Sequence, residues 1–174
     1  AALGAALELG TPLAEAARAL EGVEQPPGRG RVLRLGGGVV LIDEVYNANP
    51  SAMQAVLDEM RDVPWHGRRV AVLGDMLELG DFAPRYHREV GGRAVQDGVT
   101  VLHAVGPLAG ETAAGARVAG LGSARTYPDA AAAAAAVPLS LEDGDLVLVK
   151  GSRGIGLETV RDAVVAARGG RADA

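Results

Sequence analysis

From residue 31 onward, short apolar runs alternate with longer stretches of helical pattern, and this alternation most narrows the folds open to the chain. "RVAVLG" precedes a helical pattern at about 84–96, and "TVLHAVG" precedes one at about 107–117. "ARTY" leads into an alanine-rich stretch at 129–137, and "DLVLVKG" into a helical pattern at about 155–168. Strands this apolar have no face to offer water, so they belong in a parallel sheet covered by helices on both sides. Ahead of them, "RVLRL" and "VVLIDEVY" flank "GGG" and read as a hairpin. The expected fold is α/β: a Rossmann-like, mostly parallel sheet with helices on both faces.

The first 27 residues follow a different pattern. Residues 1–9 are helical in composition and stop at Gly10, a C-cap signal. Thr11 and Pro12 then open a second helix with Leu13, Ala16, Ala17 and Leu20 on one face. "EQPPGRGR" reads as a linker, and a domain border is expected there. The start at Ala1, in mid-helix, suggests a fragment of something longer. The seven alanines from Ala130 to Ala136 read as an ordinary surface helix with Pro128 in its first turn.

Composition excludes several classes. A net charge of −5 with scattered arginines argues against a general nucleic-acid binder. No apolar run approaches the roughly 20 residues a membrane helix needs, and no signal peptide is visible. The absence of cysteine removes disulfides and thiolate metal sites and fits a cytoplasmic location. Of the 17 basic residues, Lys150 is the one lysine.

In folds of this kind, ligands sit outside the carboxyl ends of the strands. The loops expected there are "DEVYNANPS", "GDMLELGDF", "GPLAG" and "KGSRGIG". In the first, Asp43 or Glu44 can accept bonds from ribose hydroxyls, and Asn47 and Asn49 can match the edge of an adenine ring. Taken as plain structure, the same residues make an Asx-turn with Ser51 as helix cap and Tyr46 as packing. In "KGSRGIG", Lys150, Ser152 and Arg153 suit a phosphate or carboxylate, or else a solvated glycine-rich turn. Glu78 and His87 read as residues that shape a substrate wall, while His66 and His103 receive no role. No metal-ligand spacing, Ser/His/Asp triad or thiol nucleophile is present, so no catalytic or metal-binding residue is assigned. From the residues alone, this is a domain that binds a nucleotide or another anion.

"LIDEVYNANPSAM", "VLGDMLELGDFAPRYHREVG" and "VLVKGSRGIGLETV", in this order, closely resemble the C-terminal domain of the Mur ligases. The resemblance covers nearly the whole chain and runs nearest to the branch that adds D-alanyl-D-alanine. It implies an ATP- and Mg²⁺-dependent carboxylate–amine ligase of peptidoglycan synthesis. In such enzymes the carboxylate of a UDP-N-acetylmuramoyl-tripeptide is phosphorylated, and the amine of D-alanyl-D-alanine attacks the acyl phosphate. The P-loop and metal ligands are expected in a central domain, whose end would be residues 1–27. Residues 28–174 would be the C-terminal domain, with the missing N-terminal and central domains as its partners.

By the same resemblance, Arg29 of "PGR" would reach the nucleotide phosphates. Asp43, Glu44, Tyr46, Asn47, Asn49 and Pro50 would line the nucleotide site, and Lys150, Ser152 and Arg153 would lie near the amino substrate. Glu44 and Val45 depart from the family's usual acidic-then-hydroxyl pair, which leaves the ribose contact open between Asp43 and Glu44. The 174 residues alone are expected to make no amide bond. The alternatives are another Mur or folate-type ligase, or a non-catalytic nucleotide-binding module.

Overall fold

The computed structural model describes residues 2–21 and 26–172. Residues 22–25, which include the first two residues of the expected linker, lie outside the described residues. Helices α1 (Ala2–Glu8) and α2 (Leu13–Glu21) form a small pair at the start, with Gly10 between them at a φ of 84°.

The α/β body follows in chain order: β1 (Arg31–Leu35), β2 (Val40–Glu44), α3 (Pro50–Asp62), β3 (Arg69–Gly74), α4 (Ala83–Gln96), β4 (Val101–Val105), α5 (Ala109–Val118), β5 (Ala124–Tyr127), α6 (Ala130–Ser140), β6 (Leu146–Lys150), α7 (Glu158–Arg168) and β7 (Gly170–Ala172). The strands form one sheet in the order β5-β4-β3-β6-β2-β1-β7. The five strands from β5 to β2 run parallel, and β1 is antiparallel to both β2 and β7. The expected hairpin of β1 and β2 is present, closed by a 3-10 turn at Gly36–Gly38.

Alternation along the central strands divides the core in two. Val70 and Val72 of β3, with Val147 and Val149 of β6, face α6 and α7 and meet Ala133, Val137, Val160 and Val164. Ala71 and Leu73, with Leu146 and Leu148, face the other way onto Met53, Leu57 and Met60 of α3 and Val90 and Ala94 of α4. Full burial of one such aliphatic side chain contributes about 1.5–3 kcal/mol, so both layers are needed to hold the sheet.

Two local assignments differ from expectation. Asp129 caps α6 by accepting from the Ala132 N–H at 2.8 Å, so Pro128 stands before the helix rather than in its first turn. An acceptor at the cap position satisfies a free helical N–H, which a proline ring cannot do. In the same way Asn49, not Ser51, caps α3, with Pro50 at the first helical position.

Strand order also sets where loops gather. β6 lies between β3 and β2; α7, which follows it, covers one face, while α3 and α4, which follow its neighbours, cover the other. Connections that leave adjacent parallel strands in opposite directions open a crevice at the carboxyl end of the sheet.

Candidate functional site

The crevice is a cleft of about 410 Å³ lined by Asn47, Ala48 and Asn49 after β2, Leu77, Glu78 and Leu79 after β3, and Ser152, Arg153 and Gly154 after β6. Three of the four loops expected to carry ligands thus converge on it. The fourth, "GPLAG", supports it from behind: the Leu108 N–H donates to Asp75 Oδ2 at 2.8 Å.

Ser152 ties the three loops together. Its Oγ accepts from the Leu77 N–H at 2.9 Å and donates to the Ala48 carbonyl at 3.3 Å, while its own N–H donates to the Asp75 carbonyl at 3.1 Å. The Lys150 ammonium is buried and donates to Glu44 Oε2 and to the Asn47 carbonyl, each at 3.0 Å. Its charge is therefore committed to bracing the turn after β2. Asn49 Oδ1 accepts from the Ala52 N–H and from Ser51 Oγ, both at 2.8 Å, and Asn47 Oδ1 accepts from the Ala48 N–H at 2.8 Å. Those bonds orient both side chains so that their NH₂ groups are left over as donors.

Alternation on β2 separates the two candidate carboxylates. Asp43 shares the face of Leu41 and is 1% exposed. Its Oδ2 accepts from the Gly28 N–H at 2.9 Å and from Arg161 of α7 at 3.2 Å, and its Oδ1 is buried without a hydrogen-bond partner among the described residues. Gly28 needs its positive φ of 80° to make this turn, and a Cβ there would press on the Tyr46 backbone at 3.2 Å. Glu44 points to the opposite face, where its side chain beside Lys150 is 25% exposed.

At the mouth, the Arg29 guanidinium lies over the Tyr46 ring at 3.8 Å from its centroid, and that of Arg153 lies at 5.8 Å. Both arginines and Tyr46 are exposed. Neither arginine has a carboxylate partner among the described residues, so the ring gathers two uncompensated cations where an anion could meet both. Pro50 lies beyond this cluster at the start of α3, on the edge of a larger groove of about 910 Å³ between α3, α4 and α5.

His87 is an interior brace and does not shape a wall of the cleft. It is buried, its Nε2 accepts from the Met76 N–H at 3.0 Å, and its Nδ1 then donates to the Ala83 carbonyl at 2.7 Å. Asp75 Oδ1 lies 3.5 Å from Nε2. Burial pushes the Asp75 carboxyl above its ordinary range, against the pull of the Leu108 N–H and His87. Sequence reasoning missed Arg161, which directly follows the last motif on α7 and reaches Asp43, 118 positions away in the chain, only through the fold.

The family model described as "Mur ligase, glutamate ligase domain" matches residues 28–153, which include every residue lining the cleft except Gly154. The chain belongs to the Mur ligase family. It is similar to the UDP-N-acetylmuramoyl-tripeptide–D-alanyl-D-alanine ligase of Synechocystis sp., 38% identical over 83% of this chain and 31% of that protein. The enzyme of the same name from Bacillus subtilis is 31% identical over 92% of this chain and 35% of its own length. Among solved structures, the MurF ligase of Thermotoga maritima in complex with ADP superposes with a TM-score of 0.72 and 26% identity, over 95% of this chain and 36% of that one. The chain thus spans about a third of the length of the relatives it matches. The Mur ligase domain has no helix, among its described residues, long and apolar enough to cross a membrane.

Proposed function

We propose that the chain is the C-terminal domain of a cytoplasmic ATP-dependent ligase that joins D-alanyl-D-alanine to UDP-N-acetylmuramoyl-tripeptide in peptidoglycan synthesis. Residues 2–21 would then be the end of the preceding central domain. The names of the relatives support the reaction. The observation that carries a site on this chain is the convergence of the three loops on one cleft, beside two arginines on the Tyr46 ring that have no carboxylate partner among the described residues.

ATP, when bound, supplies the phosphoryl group that activates the carboxylate. This domain's part is to bind, orient and exclude water. Arg29 takes the phosphates, and Tyr46, Asn47, Asn49 and Pro50 border the base and sugar. Of the two carboxylates, Glu44 takes the ribose, because it is accessible while Asp43 is sealed behind the Gly28 turn. On the amino-substrate side, Arg153 supplies the free charge, Ser152 holds the loops in register, and Lys150 stiffens the turn they share. Among the described residues no group of three or more His, Cys, Asp or Glu side chains could hold a metal ion, and the Mg²⁺ ligands are assigned to the preceding central domain.

An NMR titration with ADP tests the reading. Shifts centred on Arg29 and residues 44–49 are expected. Silence at millimolar ADP, or shifts confined to the groove between α3, α4 and α5, would overturn it.

A further inference from the structure

Glu78 is the one residue other than glycine, among those described, with a positive φ, 64°. An L-residue in the left-handed region costs on the order of 1–2 kcal/mol, and strain of this kind collects at functional sites. Gly80, with a φ of 55°, stands two positions away, so a glycine would serve this turn without strain. The turn instead carries a carboxylate, and it lines the cleft.

The charges on the cleft wall are few. Of its lining residues only Glu78 and Arg153 are ionisable, and neither makes an ion pair with another described residue. The cleft therefore presents one free anion and one free cation. Its apolar surface comes from Ala48, Leu77 and Leu79. A matching ligand carries an ammonium, a carboxylate, a peptide group and small apolar side chains. An extended dipeptide separates its two charges by up to about 7 Å, a span suited to a cleft of this size.

We infer that Glu78 receives the ammonium group of a short zwitterionic peptide whose carboxylate is held by Arg153. This rests on the proposal that the cleft takes the amino substrate, and it gives that site a second pole. Glu78 binds through charge, and Arg153 is the matching group at the other end. Apolar contact with Leu77 and Leu79 selects small side chains.

The test is calorimetric titration of the chain with D-alanyl-D-alanine and with its N-acetylated form, which keeps the carboxylate and peptide group but loses the ammonium. The wild type should bind the acetylated form about tenfold more weakly, the loss expected for one charge-assisted hydrogen bond. Glu78→Gln should weaken the dipeptide about tenfold and leave the acetylated form unchanged. Glu78→Gly, which suits the left-handed turn, should behave the same way and separates charge from strain. Unaltered dipeptide binding in Glu78→Gln, or a parallel loss of both ligands, would overturn the role of Glu78. Failure of the wild type to bind either ligand would overturn it together with the amino-substrate reading beneath it.

Discussion

Asn49 performs two tasks with two ends of one amide. Its Oδ1 caps α3, and its NH₂ is left for a ligand. Asn49→Ala should cost about 1 kcal/mol of stability and weaken ADP binding, whereas Asn49→Asp keeps the cap acceptor and loses only the donor. Urea denaturation beside ADP titration separates the two effects. His103 is a contrasting case, buried at the edge of the core beside Tyr127 and Ser140. Ser140 Oγ donates to the Val137 carbonyl, so it accepts from Nε2–H, and the Tyr127 hydroxyl donates to Nδ1. The ring is neutral with both nitrogens used. Burial, helped by Arg125 and Arg68, lowers its pKa from 6.5 to about 4. Between those two pH values the unfolded chain binds the proton and the folded one does not, so stability falls as pH drops from 6.5 toward 4. The loss should reach roughly 3 kcal/mol near the lower limit, and His103→Gln should flatten that part of a pH–stability profile measured in urea.

Helices α4 and α5 approach closely because each presents a glycine to the backbone of the other. A Cβ built on Gly91 would lie 1.9 Å from the Thr112 carbonyl oxygen, and one on Gly115 1.9 Å from that of Arg88. Gly91→Ala must therefore push the two helices apart. The expected cost is about 1–3 kcal/mol, read as a lower urea midpoint with an unchanged slope. At the opposite end of the sheet from the cleft, Arg68 ahead of β3 grips the buried Asp145 ahead of β6 with bonds of 2.9 and 2.7 Å. The Trp65 indole N–H donates to the Gly144 carbonyl at 2.8 Å nearby. These contacts hold β3 against β6, and so hold the register of the two strand ends that build the cleft.

Across the whole molecule, the anion-facing arginines come from residues 29 and 153, brought to one ring by the sheet. Removing the Arg29 guanidinium should weaken ADP binding about tenfold, removing that of Arg153 should weaken D-alanyl-D-alanine binding about tenfold, and each loss should shrink at higher salt. Isothermal titration at two salt concentrations checks this. An Arg29→Ala protein that binds ADP as the parent does, or an Arg153→Ala protein that binds the dipeptide as the parent does, would remove that arginine from the site. Much of this architecture was legible beforehand. The β3 run of apolar residues announced a strand buried on both faces, and the order of strands and helices announced the α/β fold. The cleft was legible only as a set of loops. The motif around Asn47 and Asn49 was visible, yet the cap was read at Ser51, because Asn and Ser are both good caps and only the backbone distinguishes them. The roles of Asp43, Glu44 and Lys150 could not be read, since each depends on a residue more than ten positions away.

What the sequence determined by itself is whatever rests on interactions within a few residues. Strand and helix periods, the stops at Gly10 and the "GGG" hairpin, and the motifs that mark the family are of this kind. Tertiary structure alone decided the assignments that depend on strand order and on which face a side chain takes. The pairing of Glu44 with Lys150 at the end of β2 and β6 sealed one charge and left Arg153 with the other role. The run of seven alanines shows the limit most plainly. Ala133 is fully buried, while its helix carries no contrast from which a core-facing side could be read. A repeat of one residue type fixes a helix through backbone propensity, but only packing against α7 and the sheet chooses which side of it is inside.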